Sequence, residues 1–266
     1  MKKGGILFAG LVLILFLVGC TNKLPVPEFL PEPVNEETNI VVEEATAIPQ
    51  ESPTDSSVAE DDLRFIIANP LDLSQIQRIS TFRSCVGHDY SGLNTRGEKE
   101  TLRSMKHYLE PLPSLIGTDQ IKIFAPFDGK VVEILDGPPG KAIYLSAKAA
   151  PSWEFIFFHV VPAVGIKEGT LVQAGEQVGT VSADIHSNFD FALKQFSWKG
   201  QVFDSPFMHM ADSILGEYAA SGVTLENIIF SKEARDAEPC PVEGTKNGDA
   251  PFVGYRDEDF VKLYGR

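Results

Sequence analysis

Ile121-Lys-Ile-Phe-Ala-Pro-Phe-Asp-Gly-Lys-Val-Val-Glu-Ile-Leu135 opens a stretch, running on to Phe196, whose reading decides the fold. An Ala-Pro-x-x-Gly turn leads into a short apolar run. Further strand candidates follow at Ala142–Ala147 and Glu154–Val161, rich in aromatic and β-branched residues. Next comes Gly165-Ile-Lys-Glu-Gly-Thr-Leu-Val-Gln-Ala-Gly-Glu-Gln-Val-Gly-Thr-Val181, where Gly165, Gly169, Gly175 and Gly179 separate short apolar pieces. Glycine adopts positive φ without steric cost, so this spacing predicts a small, sharply turned all-β structure. Asn188–Phe196 is the last strand of the set. The fold class expected is mainly β, with a few peripheral helices.

Three phrases in this stretch carry a resemblance. They are Ala125-Pro-Phe-Asp-Gly129-Lys-Val131, Phe157-Phe-His159-Val160, and Gly169-Thr-Leu-Val172-Gln-Ala-Gly175-Glu-Gln-Val178-Gly179. They resemble the lysostaphin-type (LytM-like) zinc endopeptidases, which cut peptide cross-links in bacterial cell walls. Between about Ile79 and Leu193 the likeness implies a barrel-sandwich-like antiparallel lysostaphin-type core. Hybrid biotinyl/lipoyl-like barrels share the Ala-Pro-x-x-Gly and Gly-x-x-Val-x-x-Gly phrases. That leaves an export adaptor as an alternative, against which the lack of a long coiled-coil hairpin counts.

The resemblance also implies a site. The family's first metal motif, His-x-Gly-x-Asp-Tyr, falls on Cys85, Gly87, Asp89 and Tyr90, so cysteine stands where the first histidine belongs. His159 matches the histidine of Tyr-x-His, which acts on water and the oxyanion. The last motif, His-x-His, aligns in two registers. One places His186 at the catalytic position and Asn188 at the ligand position. The other places Asn188 and Asp190 there. The ligand set implied is therefore Cys85, Asp89 and Asn188, with Asp190 as the alternative and His159 and His186 as catalytic candidates. An amide oxygen is a weak zinc ligand. Zinc is the cofactor the family implies, yet these substitutions predict a domain without it. Cys85, Asp89 and His186 form a conceivable rescued site, and an active peptidase with altered ligands is the corresponding alternative function.

The remaining chain places the domain. Met1-Lys-Lys, an apolar run and Leu17-Val-Gly-Cys20 match a bacterial lipoprotein signal, implying cleavage before Cys20 and lipidation of its thiol. Residues 1–20 are thus a signal peptide and the protein is expected outside the cytoplasm, anchored to a membrane. Residues 21–62 hold eleven acidic residues, one lysine and six prolines. This composition predicts a disordered tether with a mean span on the order of 40 Å. With two lysines in the signal, the formal −14 of the whole chain leaves −6 for residues 63–266. That domain carries no basic footprint for nucleic acid. Partners expected are the membrane and a cell-wall fragment or envelope protein.

Within 63–266, apolar spacing predicts a helix over Thr95–Leu109, stopped by Pro111, with His107 as a surface or packed residue. Ser205-Pro206 predicts a second helix with Phe207, Met210, Ile214, Leu215 and Tyr218 inward, His209 solvated and Gly222 at its end. With Cys20 lipidated, Cys85 and Cys240 remain as a pair, so a disulfide between them is expected. Residues 197–266 lie beyond the family core and carry no motif.

Overall fold

The computed structural model describes residues 63–242 and 251–265. The expected signal peptide, the expected lipidation at Cys20 and the expected tether over residues 21–62 all lie outside the described residues. The strands are β1 (Ile76–Ser80), β2 (His107–Pro111), β3 (Lys122–Phe124), β4 (Gly129–Asp136), β5 (Lys141–Ala147), β6 (Trp153–Pro162), β7 (Leu171–Val172), β8 (Gln177–Val181), β9 (Phe189–Ser197), β10 (Gly200–Asp204) and β11 (Phe260–Lys262). They pair antiparallel in the order β11-β1-β2-β9-β6-β5-β4-β7, with β10 beside β9 and the β3–β8 pair branching from β6. The sheet is open. Three short helices follow it: α1 (Asp212–Ala220), α2 (Leu225–Ile228) and α3 (Lys232–Ala237). The fold is mainly antiparallel β.

Strand alternation sorts the side chains into two faces. Phe155, Phe157, Phe189, Phe191 and Leu193 are fully buried on one face, where Phe207, Ile214 and Tyr218 pack with them in the same core. Asp190, Ala192 and Lys194 alternate onto the other face, with Tyr144, Ile156 and Phe158 as neighbours.

Two helix expectations require correction. Residues 95–106 are not helical: Leu102 has φ +56°, and the segment runs through isolated bridges such as Ser84↔Ser104 and Leu93↔Lys99. The apparent period of apolar residues conceals buried polar ones. Glu100 accepts bidentate hydrogen bonds from Arg83 at 2.7 and 2.9 Å, and Arg103 Nη1 lies 3.0 Å from it. Those pairs draw Glu100 and Arg103 inward and hold the segment extended. His107 is a strand residue, fully buried.

After Ser205, the apolar stripe is built by a 3-10 turn, Pro206–His209, and then α1. Ser205 makes no cap; its hydroxyl lies 2.9 Å from His107 Nε2. His209 is buried rather than solvated, with Nε2 3.0 Å from Asp204 Oδ2 and its ring 4.9 Å from that of Trp153.

The C-terminal residues do not merely surround the core. β11 extends the sheet beside β1. Cys85 and Cys240 are joined by a disulfide, and Arg235 and Asp259 form a buried ion pair at 2.7 Å beside it. Asp259 Oδ1 also accepts the Cys85 N–H at 3.0 Å.

A candidate binding face with an ammonium at its centre

β9 brings Asp190 into register with Tyr108 of β2 and Phe158 of β6. The carboxylate is fully buried, so its charge requires a partner. Lys106, just before β2, supplies it. Its Nζ lies 2.6 Å from Asp190 Oδ2, and only 4% of the lysine side chain is exposed. Three rings surround the ammonium, with centroids 4.7 Å (Tyr90), 4.9 Å (Tyr108) and 4.7 Å (Phe158) away. Burial raises the pKa of both tyrosines well above the phenol range, so the cation meets neutral π faces.

Two histidines flank the pair. His88 Nε2 lies 3.4 Å from Lys106 Nζ and its Nδ1 is 3.1 Å from the Asp89 carbonyl. This arrangement is satisfied when the proton sits on Nδ1 and Nε2 accepts from the ammonium. His159 Nε2 lies 3.5 Å from Asp190 Oδ1, and Nδ1 is 3.2 Å from the Pro139 carbonyl. His159 has φ +62°. It is the residue at which β6 leaves β9 (Phe158↔Asp190) and joins β8 (Val160↔Val181), with a register shift against β5. A left-handed non-glycine residue at a bulge beside a candidate site is a strained position held by its surroundings.

The structure brings only some of the sequence-derived residues together. His159 and Asp190 meet. Cys85 is occupied by its disulfide. Asp89 caps its own loop, accepting from Ser91 Oγ at 2.6 Å, from the Leu102 N–H at 3.2 Å and from the Arg103 N–H at 3.4 Å. His186 is exposed on a bend and Asn188 precedes β9, so neither shares the strand alternation expected of them. Among the described residues, no three His, Cys, Asp or Glu side chains converge to hold a metal ion.

These donors do not fit zinc. The expected first ligand is covalently committed, the second is held by one hydroxyl and two backbone N–H donors, and Asp190 already faces a cation. The rescued set of Cys85, Asp89 and His186 fails on the same disulfide.

Lys106, Tyr108 and His88 were not legible as site residues. The signal available was Asp190 itself, an acid between Phe189 and Phe191, which demands a buried cation somewhere in the chain. Gly87 is explained by the same constellation. Its φ is +77°, and a Cβ there would stand 2.0 Å from Tyr108 Oη.

This architecture is similar in class to LytM- and lysostaphin-type peptidase folds. Among solved structures, the chain is similar to a glycyl-glycine endopeptidase LytM from Ruminococcus gnavus, described as putative, with 14% identity, TM-score 0.33, and coverage of 39% of this chain and 44% of that one. It is similar to a zinc-containing peptidase from Vibrio cholerae, with 16% identity, TM-score 0.35, and coverage of 56% and 40%. For lysostaphin the identity is 18%, the TM-score 0.29, and the coverage 45% and 49%. The chain thus spans less than half the length of each. No family model matches it, and no curated protein does. Among the described residues no helix is long and apolar enough to cross a membrane.

Proposed function

We propose that this chain is a lipid-anchored extracytoplasmic protein whose LytM-like domain binds cell-wall material or an envelope protein without cutting peptides. One observation carries the reading: the Lys106 ammonium lies 2.6 Å from Asp190 inside an aromatic cage. Metal-dependent hydrolysis needs a cation with an open position that lowers the pKa of bound water from about 15.7 to about 7. An ammonium neutralises Asp190 but has no coordination site to offer water. His159, with 30% of its side chain exposed, remains able to hydrogen-bond a ligand laid along the sheet.

The test is binding of purified chain to peptidoglycan and its soluble fragments, with His159→Ala alongside. Retention without release of new peptide termini, weakened by His159→Ala, is expected. Zinc-dependent release of termini would instead establish the altered-ligand peptidase.

A further inference from the structure

Residues 197–266 carry no motif, yet they build most of a cavity of about 610 Å³, a size typical of small-ligand sites. It lies between α2, the Ile229–Phe230 segment, β11 and Tyr264, and Thr81, just past β1, joins its wall. It shares no residue with the Asp190–Lys106 face.

Three features of the wall bear on its occupant. Thr81 is 2% exposed, and its Oγ1 has no hydrogen-bond partner among the described residues. Buried hydroxyls are hydrogen-bonded as a rule, so an unpaired one in a cavity wall points to a ligand. Glu226, Asp257 and Glu258 stand exposed around the same space. The Tyr264 ring, 73% exposed, is held in place as a wall. Its N–H donates to the Ser221 carbonyl at 2.9 Å, and a Cβ on Gly222 would lie 2.8 Å from the ring. Gly222, at φ +91°, thus serves both the chain's turn and the ring.

The local charge balance is acidic. Arg78, Arg83 and Arg235, which touch lining residues, are paired with Glu110, Glu100 and Asp259. Lys262 lines the cavity, and Arg256 lies 3.6 Å from Glu258 and also contacts Glu238. Glu226, Asp257, Glu258 and Glu238 therefore face Lys262 and Arg256, four negative charges against two. Counting the guanidinium of Arg266, which lies outside the described residues, still leaves the balance negative. Lys262 also shares its strand face with Phe260 and Arg78, opposite to Val261. Among the described residues no three ligating side chains converge to hold a metal ion. The wall suits an ammonium on an alkyl stem: carboxylates for the charge, a tyrosine face for the cation, and Ile229 and Val261 for the methylenes.

We propose that this cavity binds the terminal ammonium of a lysine-like alkylamine, its charge met by Glu226, Asp257 and Glu258, its stem against Tyr264, and a polar atom of the ligand hydrogen-bonded to Thr81 Oγ1. The site is separate from the Asp190–Lys106 face and does not depend on what that face binds.

Full-length chain is titrated with acetyl-lysine methylamide, with its uncharged counterpart acetyl-norleucine methylamide, with cadaverine and with calcium chloride, read by calorimetry and by backbone amide shifts. The amines are expected to bind at low millimolar concentration, with shifts centred on Thr81, Glu226 and Tyr264, and the norleucine probe is not. A preference for the lysine probe assigns the site to a peptide side chain, and equal or tighter binding of cadaverine to a free amine; both support the proposal. Glu226→Gln/Glu258→Gln should weaken binding about fivefold. Thr81→Val, close in size but without the hydroxyl, should weaken it too while folding at least as stably as wild type, because the unpaired group is gone. His159→Ala should bind the amines as wild type does. Equal binding of the norleucine probe, no amine binding at low millimolar concentration, or shifts centred elsewhere overturns the proposal. Shifts at these residues with calcium and none with amine overturn it by assigning the cavity to a metal ion.

Discussion

Asp190 is where the chemistry of this fold turns. In a low-dielectric interior a lone carboxylate is costly, and loss of one partner of a buried pair costs about 3–5 kcal/mol. Lys106→Met is therefore expected to destabilise the chain by about 3–5 kcal/mol, while Lys106→Met/Asp190→Leu recovers most of the loss, because a packed apolar pair is a fair substitute for a buried ion pair. Urea unfolding of both variants checks this. A Lys106→Met chain within about 1 kcal/mol of wild type would contradict a caged, charge-compensating ammonium.

His107 makes a second prediction. Burial holds its pKa down to about 4 from an ordinary 6.5, against the hydrogen bond with the Ser80 carbonyl at 2.7 Å. The unfolded chain takes up this proton near pH 6.5 and the folded chain only near pH 4. Stability from this group is thus present above pH 6.5, falls between pH 6.5 and 4, and totals on the order of 3 kcal/mol. His107→Gln should flatten the stability profile over that window; an unchanged slope would show that the imidazole titrates elsewhere.

At the scale of elements, the switch of β6 between β9 and β8 depends on one left-handed residue, His159. His159→Gly should keep the melting temperature close to wild type, whereas His159→Val, β-branched at φ +62°, should cost about 1–3 kcal/mol. Equal melting temperatures would mean the bulge relaxes. The Cys85–Cys240 bond, 155 residues apart, closes the C-terminal residues onto the first motif. Cys85→Ser/Cys240→Ser is expected to lose roughly 4–5 kcal/mol in the chain-entropy account, read by denaturant unfolding.

The central strands were legible because glycine turns and alternating apolar runs set their bounds locally: Ala142–Ala147 and Glu154–Val161 fall within β5 and β6. The 95–109 segment was not. Its apolar spacing is helical, and what overrides it are Glu100 and Arg103, whose partners Arg83 and Asp236 are distant in sequence. His209 likewise looked solvated because Asp204 and Leu63 meet it only in the folded chain. For the site, motif alignment pointed to His159 and, in its favoured register, to His186 and Asn188, with Asp190 only in the alternative one; the structure brings His159 and Asp190 together. Lys106 escaped because nothing local marks a lysine as buried.

For the whole molecule, the account joins an acidic N-terminal stretch to a LytM-like sheet in which Asp190 is paired with the internal Lys106 cation. The sheet's resemblance predicts a cutting enzyme, and its side chains predict a binding one. The two differ in what happens to zinc and to peptide bonds. The deciding measurement is digestion of purified peptidoglycan by the full-length chain with zinc supplied, with release of new peptide termini followed for wild type and His159→Ala. The account predicts no release above the protein-free control for either chain, with wild type retained on the wall material. Zinc-dependent release by wild type, abolished by His159→Ala and accompanied by one bound zinc per chain, would contradict it.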